Sequence, residues 1–261
     1  AEPRTGLSMG QHCEEMAKEW AIGRREQDEL ALASHQNAAK AWKEGFFSDL
    51  VVPFGDLKAD NNIRADTSLE KLSSLRNAFD PSPAGTLTAG NSSPLTDGAA
   101  AVLIASEEWA RSRGIEPLCY LTHTETAAVD FVGMAGPKEG MLMAPAYAVP
   151  RMLKRAGITL QDFDIYEIHE AFAAQVLCTL KGWESVEYCR TRLGLEDSLG
   201  AVHRPSLNPK GSSVAIGHPF AATGARIVAT LAKQLKALGS GRGLISICAA
   251  GGMGVTAILE R

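Results

Sequence analysis

The sequence predicts an α/β layered domain preceded by an α-rich segment. From about residue 118 to residue 261, short apolar runs with strand-like alternation are interleaved with stretches of helical period, the pattern of helices packed on a sheet. Residues 9–44 carry helical period alone, and the composition turns small and apolar at Gly90.

The elements follow in order. Met16, Trp20, Leu30, Ala33, Ala41 and Trp42 recur at helical spacing among charged residues, and Gly23 with Arg24–Arg25 marks a break between two helices. Residues 45–90 are rich in Pro, Gly and Asn and form a long connecting segment, a kind that tends to carry function. The run from Gly98 to Ala105 is small and apolar and predicts a tightly packed element inside a core. Residues 107–113 predict a surface helix and residues 118–122 a strand. Residues 147–156 predict an amphipathic helix stopped at Gly157. Residues 163–169 alternate as a strand and run into a helix opening at Glu170. Later, a helix spans 223–238 behind Gly217-His-Pro219, and strands cover 244–248 and 255–259. No internal repeat is present.

Composition excludes several classes. Hydrophobic residues are 45% and charged residues 21%, ordinary for a globular protein. A net charge of -4 gives no footprint for a nucleic-acid partner. No run approaches the ~18–20 apolar residues of a membrane helix, and no basic leader with an apolar stretch opens the chain; a transmembrane segment and secretion are not expected. Five cysteines (Cys13, Cys119, Cys178, Cys189 and Cys248), odd in number and irregularly spaced, argue against a disulfide framework or zinc site and for a reducing compartment. The chain opens on Ala1 rather than Met, which is compatible with trimming or with a piece of something longer.

Three polar residues stand at ends of regular elements, where a scaffold presents side chains to a cleft. His169 lies at a strand-to-helix junction; there a histidine donates to an oxyanion or a water, or else caps the helix. His218 is held between Gly217 and Pro219, placed to take a proton from a thiol nucleophile, or else serves as a turn residue. Cys248 ends an apolar strand ahead of Ala249-Ala-Gly-Gly252. A thiol there acts as acid or base, or else packs as a small hydrophobe. Gly251-Gly-Met-Gly254 lacks both the G-x-G-x-x-G spacing and a following helix, so it is not a dinucleotide fingerprint. His169-Glu170 has Ala173 where a zinc-protease helix needs its second histidine.

Seven stretches carry a family resemblance. Ile216-Gly-His-Pro-Phe-Ala-Ala-Thr-Gly-Ala-Arg226 resembles the histidine loop of thiolases, and Cys248-Ala-Ala-Gly-Gly-Met-Gly254 their C-terminal cysteine loop. His169-Glu-Ala-Phe-Ala173 resembles a third motif, and Thr88-Ala-Gly-Asn-Ser-Ser93 with Asp97-Gly-Ala-Ala-Ala101 a central one. Ser8-Met-Gly10 and Arg25-Glu-Gln-Asp28 resemble the loop domain over the active site. The resemblance spans nearly the whole chain, in the family's order. It implies a layered α-β-α-β-α architecture: a loop domain portion over 1–88, the tail of the N-terminal core domain over 89–116, and the C-terminal core domain over 117–261.

Most thiolases carry Asn where this chain has His169. The histidine, Asp60-Asn-Asn-Ile-Arg64 and the long stretch from Cys178 to Ser206 are similar to the thiolase subunits of fatty-acid β-oxidation trifunctional complexes. That branch implies thiolysis of medium- or long-chain 3-ketoacyl-CoA, with coenzyme A as co-substrate and no permanently bound cofactor. It also implies a homodimer, a possible hydratase/dehydrogenase subunit, and a bacterial cytoplasm or mitochondrial matrix. By position, His218 activates the nucleophile, Cys248 moves protons at the leaving carbanion and at incoming CoA, and His169 shapes an oxyanion hole. The Ala250 N–H serves a second hole, Ser93 touches the pantetheine arm, and Phe172 walls the acyl pocket. None of the five cysteines has the small-residue-and-serine context of the family's nucleophile. The nucleophile-bearing portion is therefore expected outside this chain, which alone is expected to be inactive. The alternative is a thiolase-like fragment that binds acyl-CoA or a partner without catalysis.

Overall fold

The computed structural model describes residues 1–261. Helix α1 (Met9–Glu19) opens with a reciprocal capping box between Ser8 and Gln11, which satisfies two otherwise free amides. Ala21 at φ 49° turns the chain into α2 (Arg24–Lys43), which is the break expected at Gly23. The connecting segment that follows is irregular except for α3 (Leu69–Ser73). Short α4 (Glu107–Ser112) then leads to strand β1 (Tyr120–Ala128).

The remaining elements are α5 (Ala144–Ala156), β2 (Ile165–Ile168), α6 (Ala173–Glu184), α7 (Val186–Thr191), α8 (Ser213–Ile216), α9 (Thr223–Leu238), β3 (Arg242–Ala249) and β4 (Met253–Glu260). The four strands form one sheet in the order β1-β4-β3-β2. β2 runs parallel to β3, with Ile168 opposite Ser246; β3 and β4 make an antiparallel hairpin, with Cys248 opposite Gly254.

Strand alternation sorts the residues into layers. Ile165, Ile245 and Leu259 face α9 and bury with Ile227, Leu231 and Leu235. Their neighbours Tyr166, Ile168, Leu244, Cys248 and Ile258 face the other way, into the main core with α5 and α6. Cys13, Met16 and Ala17 of α1 belong to that same core. The sheet is thus sandwiched between α9 and the other helices, the layered arrangement expected. No helix is long and apolar enough to cross a membrane.

Three expectations change. The run 98–105 is neither regular nor buried: Leu103 is 74% and Ile104 67% exposed. A buried-type strand needs a sheet to join, and neither edge strand, β1 or β2, takes it. The helix expected from Glu170 begins at Ala173, because Phe172 is held extended (φ -144°, ψ 145°) by bridging to Ser92. The strand expected at 118–122 continues to Ala128, since its backbone pairs with β4 along its length.

Candidate active site

The C-terminal ends of the parallel strands β2 and β3 lie side by side, the edge where α/β sheets present ligand sites. The backbone N–H of His169, just past β2, donates to Ser246 O at 2.9 Å. Cys248 lies two residues further along β3. The segment Ser92-Ser-Pro94 threads beside them. Ser93 N donates to Ala171 O at 3.0 Å, and His218 N donates to Pro94 O at 3.4 Å. Backbone hydrogen bonds thus tie the Ser92–Pro94 segment both to the stretch around Phe172 and to His218, 125 residues beyond Ser93 in sequence, while His169 is tied to β3.

The two imidazoles meet at 4.3 Å between ring centroids, tilted by 49°. Gly217 permits this: its φ of 112° suits glycine alone, and a Cβ there would come within 2.8 Å of Thr96 Cγ2. Nδ1 of His218 is 2.7 Å from Thr223 Oγ1. The Thr223 hydroxyl donates to Pro219 O at 3.3 Å, so it accepts from Nδ1–H and leaves Nε2 of His218 with a free lone pair. Nδ1 of His169 is 2.8 Å from Ser213 Oγ, so this histidine does not cap α6. Burial, then the neighbouring His218 and Arg226, push the His169 pKa well below the usual histidine range; burial and Arg226 also lower that of His218. Both shifts favour the neutral ring.

Cys248 is buried, and burial pushes its thiol up to about 12. It is a protonated donor at neutral pH rather than a resting thiolate. Ala250 sits exposed in the turn between β3 and β4. Gly251 and Gly252 there have φ of 79° and 75°, and a Cβ on Gly252 would lie 2.7 Å from the Phe131 ring. Phe172 is 9% exposed and meets Phe79 edge-on at 5.7 Å.

Sequence reasoning missed the supports. Glu170 is buried, and its carboxylate accepts from Ser34 Oγ at 2.6 Å, Asn208 Nδ2 at 2.7 Å and Val214 N at 3.3 Å. Burial raises its pKa against those bonds. Asn208, at φ 46°, also pairs with both the N–H and the C=O of Ile168, which locks the end of β2. Nothing in sequence spacing joins Ser34, Glu170 and Asn208; Asn208's tolerance of positive φ was the one available signal.

A groove of about 410 Å³ opens beside Pro94 and Gly90. Arg64, Lys71 and His35 line it with Leu72, Leu75 and Val214. Lys71 is already paired with Asp66, so Arg64 is the cation the groove offers to an anionic group, beside apolar side chains that suit an alkyl portion. No group of three or more His, Cys, Asp or Glu is arranged to hold a metal ion.

Comparison with known proteins agrees with this geometry. The family model "Thiolase, N-terminal domain" matches residues 1–108, and "Thiolase, C-terminal domain" matches residues 122–261. The chain is 47% identical to a 3-ketoacyl-CoA thiolase of Yersinia enterocolitica and 48% identical to one of Pectobacterium atrosepticum. Each alignment takes in 100% of this chain and 59% of the relative. Among solved structures, the Bacillus anthracis acetyl-CoA acetyltransferase superposes with a TM-score of 0.84 at 36% identity, covering 99% of this chain and 61% of that one. Human mitochondrial 3-ketoacyl-CoA thiolase superposes with a TM-score of 0.81 at 28% identity, covering 100% and 61%. The chain thus spans about three-fifths of the length of the relatives it matches, and by sequence match, fold and motif order it belongs to the thiolase family.

Proposed function

We propose that this chain is the proton-handling and oxyanion-binding portion of a 3-ketoacyl-CoA thiolase, an acyltransferase that cleaves medium- or long-chain 3-ketoacyl-CoA in fatty-acid β-oxidation. The carrying observation is the pair of neutral histidines, His169 and His218, beside the end of the strand that bears the high-pKa Cys248.

A thiol nucleophile supplied from outside these 261 residues loses its proton to Nε2 of His218 and attacks the 3-keto carbon. The resulting alkoxide takes a hydrogen bond from His169. As the carbonyl re-forms, the C2–C3 bond breaks and its electron pair leaves as the enolate of acetyl-CoA. The Cys248 thiol protonates C2, giving acetyl-CoA and a buried thiolate. That thiolate, costly to bury, takes the proton of incoming CoA. The CoA thiolate attacks the acyl-enzyme, the shortened acyl-CoA leaves, and His218 returns its proton to the nucleophile.

Burial argues against any cysteine of this chain as that nucleophile. Cys13, Cys178, Cys189 and Cys248 are buried with thiols pushed up by desolvation, and burial also raises the half-buried Cys119. The exposed Leu95, Leu103 and Ile104 are the face on which the rest of a complete enzyme packs. Phosphates of CoA lie against Arg64, the pantetheine arm passes Ser93, the Ala250 N–H supplies the second oxyanion hole, and Phe172 bounds the acyl chain. The complete enzyme is a homodimer, with a hydratase/dehydrogenase subunit as a further partner. The bacterial relatives favour a cytoplasmic setting.

The test is 3-ketoacyl-CoA thiolysis by the full-length protein, with denaturing mass spectrometry to capture the acyl adduct. Turnover with an acyl group on a cysteine outside this chain is expected. CoA binding without turnover or adduct would overturn the catalytic reading.

A further inference from the structure

His169 can serve as an oxyanion donor only in the tautomer that carries its proton on Nε2. Its Nδ1 faces Ser213 Oγ at 2.8 Å, at the start of α8. That hydroxyl has a second partner: Arg226 Nη2, one turn into α9, donates to it at 2.8 Å. A guanidinium is an obligatory donor. It occupies a lone pair of Ser213 Oγ and leaves the hydroxyl hydrogen one neighbour within reach, Nδ1 of His169. With the proton on Nδ1 instead, Ser213 Oγ would accept twice and its own hydrogen would be buried without a partner, a costly arrangement. Arg226 is itself buried: burial lowers its pKa, and the nearby Glu167, Glu170 and Asp60 act in the opposite direction.

We propose that Arg226 and Ser213 are positioning residues that set the tautomer of His169, turning the Ser213 hydroxyl hydrogen onto Nδ1 so that Nε2–H is presented to the reaction. The relay acts opposite to the one on His218, where Thr223 accepts from Nδ1–H and frees Nε2 as a base. Two adjacent histidines of the same chemical type are thereby given complementary roles, one donor and one acceptor, by which hydroxyl each one meets. The role of Ser213 and Arg226 rests on the proposed thiolase reading for its purpose, but the tautomer exists independently of turnover.

The experiment is long-range 1H–15N correlation spectroscopy on this chain labelled with 15N-histidine at neutral pH, with resonances assigned by single His→Gln variants. The expected result is a protonated Nε2 with bare Nδ1 for His169, and the reverse for His218. Ser213→Ala and Arg226→Met should each lose the single-tautomer pattern of His169 and leave that of His218 intact. Ser213→Thr, which keeps the hydroxyl, should retain both. A wild-type His169 protonated on Nδ1, or a pattern unmoved in folded Ser213→Ala and Arg226→Met, would overturn the relay; should those variants not fold, the wild-type spectrum alone decides. Expected tautomers in a full-length protein without thiolysis would sink the function and leave the relay standing.

Discussion

His169 and His218, 49 residues apart in sequence, stand with ring centroids 4.3 Å apart, one ring tied to Ser213 and the other to Thr223. Two imidazoles this close cannot both take a proton without mutual repulsion, and Arg226 opposes protonation of either. Burial first, then Arg226, favours the neutral form of both rings, and His218 adds to that effect on His169; a base and a neutral hydrogen-bond donor both require it.

Removing the base tests this pairing directly. In the full-length enzyme, His218→Ala should lower kcat/KM about 10²–10⁴-fold, the usual worth of positioned acid–base catalysis. Because burial and Arg226 lower its pKa from the ordinary 6.5, the acid limb of the wild-type pH–rate profile that reports this base should fall below pH 6.5. A loss smaller than tenfold would show that His218 is a turn residue after all.

The thiol of Cys248 should resist alkylation. Desolvation holds it at about 12, whereas Cys119 is only half-buried. Since the thiolate is the reactive form, iodoacetamide near neutral pH should label Cys119 of this chain before Cys248, as read by peptide mass spectrometry. Rapid labelling of Cys248 would mean that the site stabilises its thiolate at rest, and the proton-donor assignment would fail. In the full-length enzyme, Cys248→Ala should lower kcat by at least 10² while leaving substrate binding largely intact.

Much of this was legible from the chain alone, for physical reasons. The layers followed from two periodicities, and the end of α5 from Gly157, which the structure holds at positive φ. His169, His218 and Cys248 stood out because each adjoins a strand end or a glycine. The run 98–105 misled because local apolarity reports a wish to be buried, not the presence of a neighbour. Glu170, Ser34, Asn208 and the Arg226–Ser213 contact were illegible because their partners are 13 to 136 residues away and only tertiary packing brings them together.

Buried Glu167 should make stability fall as pH rises. Burial raises its pKa from 4.5 to about 7, and Gln234 is its one hydrogen-bond donor. Between those values the unfolded chain gives up the proton while the folded chain keeps it, so stability declines through that window by roughly 3 kcal/mol and levels off above it. Glu167→Gln keeps an acceptor for Gln234 and removes the titration. Urea unfolding at pH about 5 and about 8 should show the variant's advantage growing with pH. An equal difference at both values would place the proton elsewhere.

Ala221 is held at φ 67°, in the left-handed region that a side chain resists, within the turn between His218 and α9. The penalty there is about 1 kcal/mol, and glycine avoids it. Ala221→Gly should raise stability by about that amount, less the added freedom of the unfolded chain. A lower melting temperature would show that the turn depends on the alanine.

The groove beside Pro94 carries the last prediction. Arg64 lines it together with Leu72, Leu75 and Val214, and Lys71 there is paired with Asp66. A charge-assisted bond to phosphate is worth about 1.5–3 kcal/mol, so Arg64→Ala should weaken CoA binding to this chain by roughly ten- to a hundredfold in calorimetric titrations. Pantetheine lacks the nucleotide phosphates and should lose almost nothing. If both ligands weaken equally, Arg64 shapes the groove rather than holding phosphate. If neither weakens, the nucleotide lies elsewhere, and the path from Arg64 past Ser93 to the two histidines is not the path of the substrate.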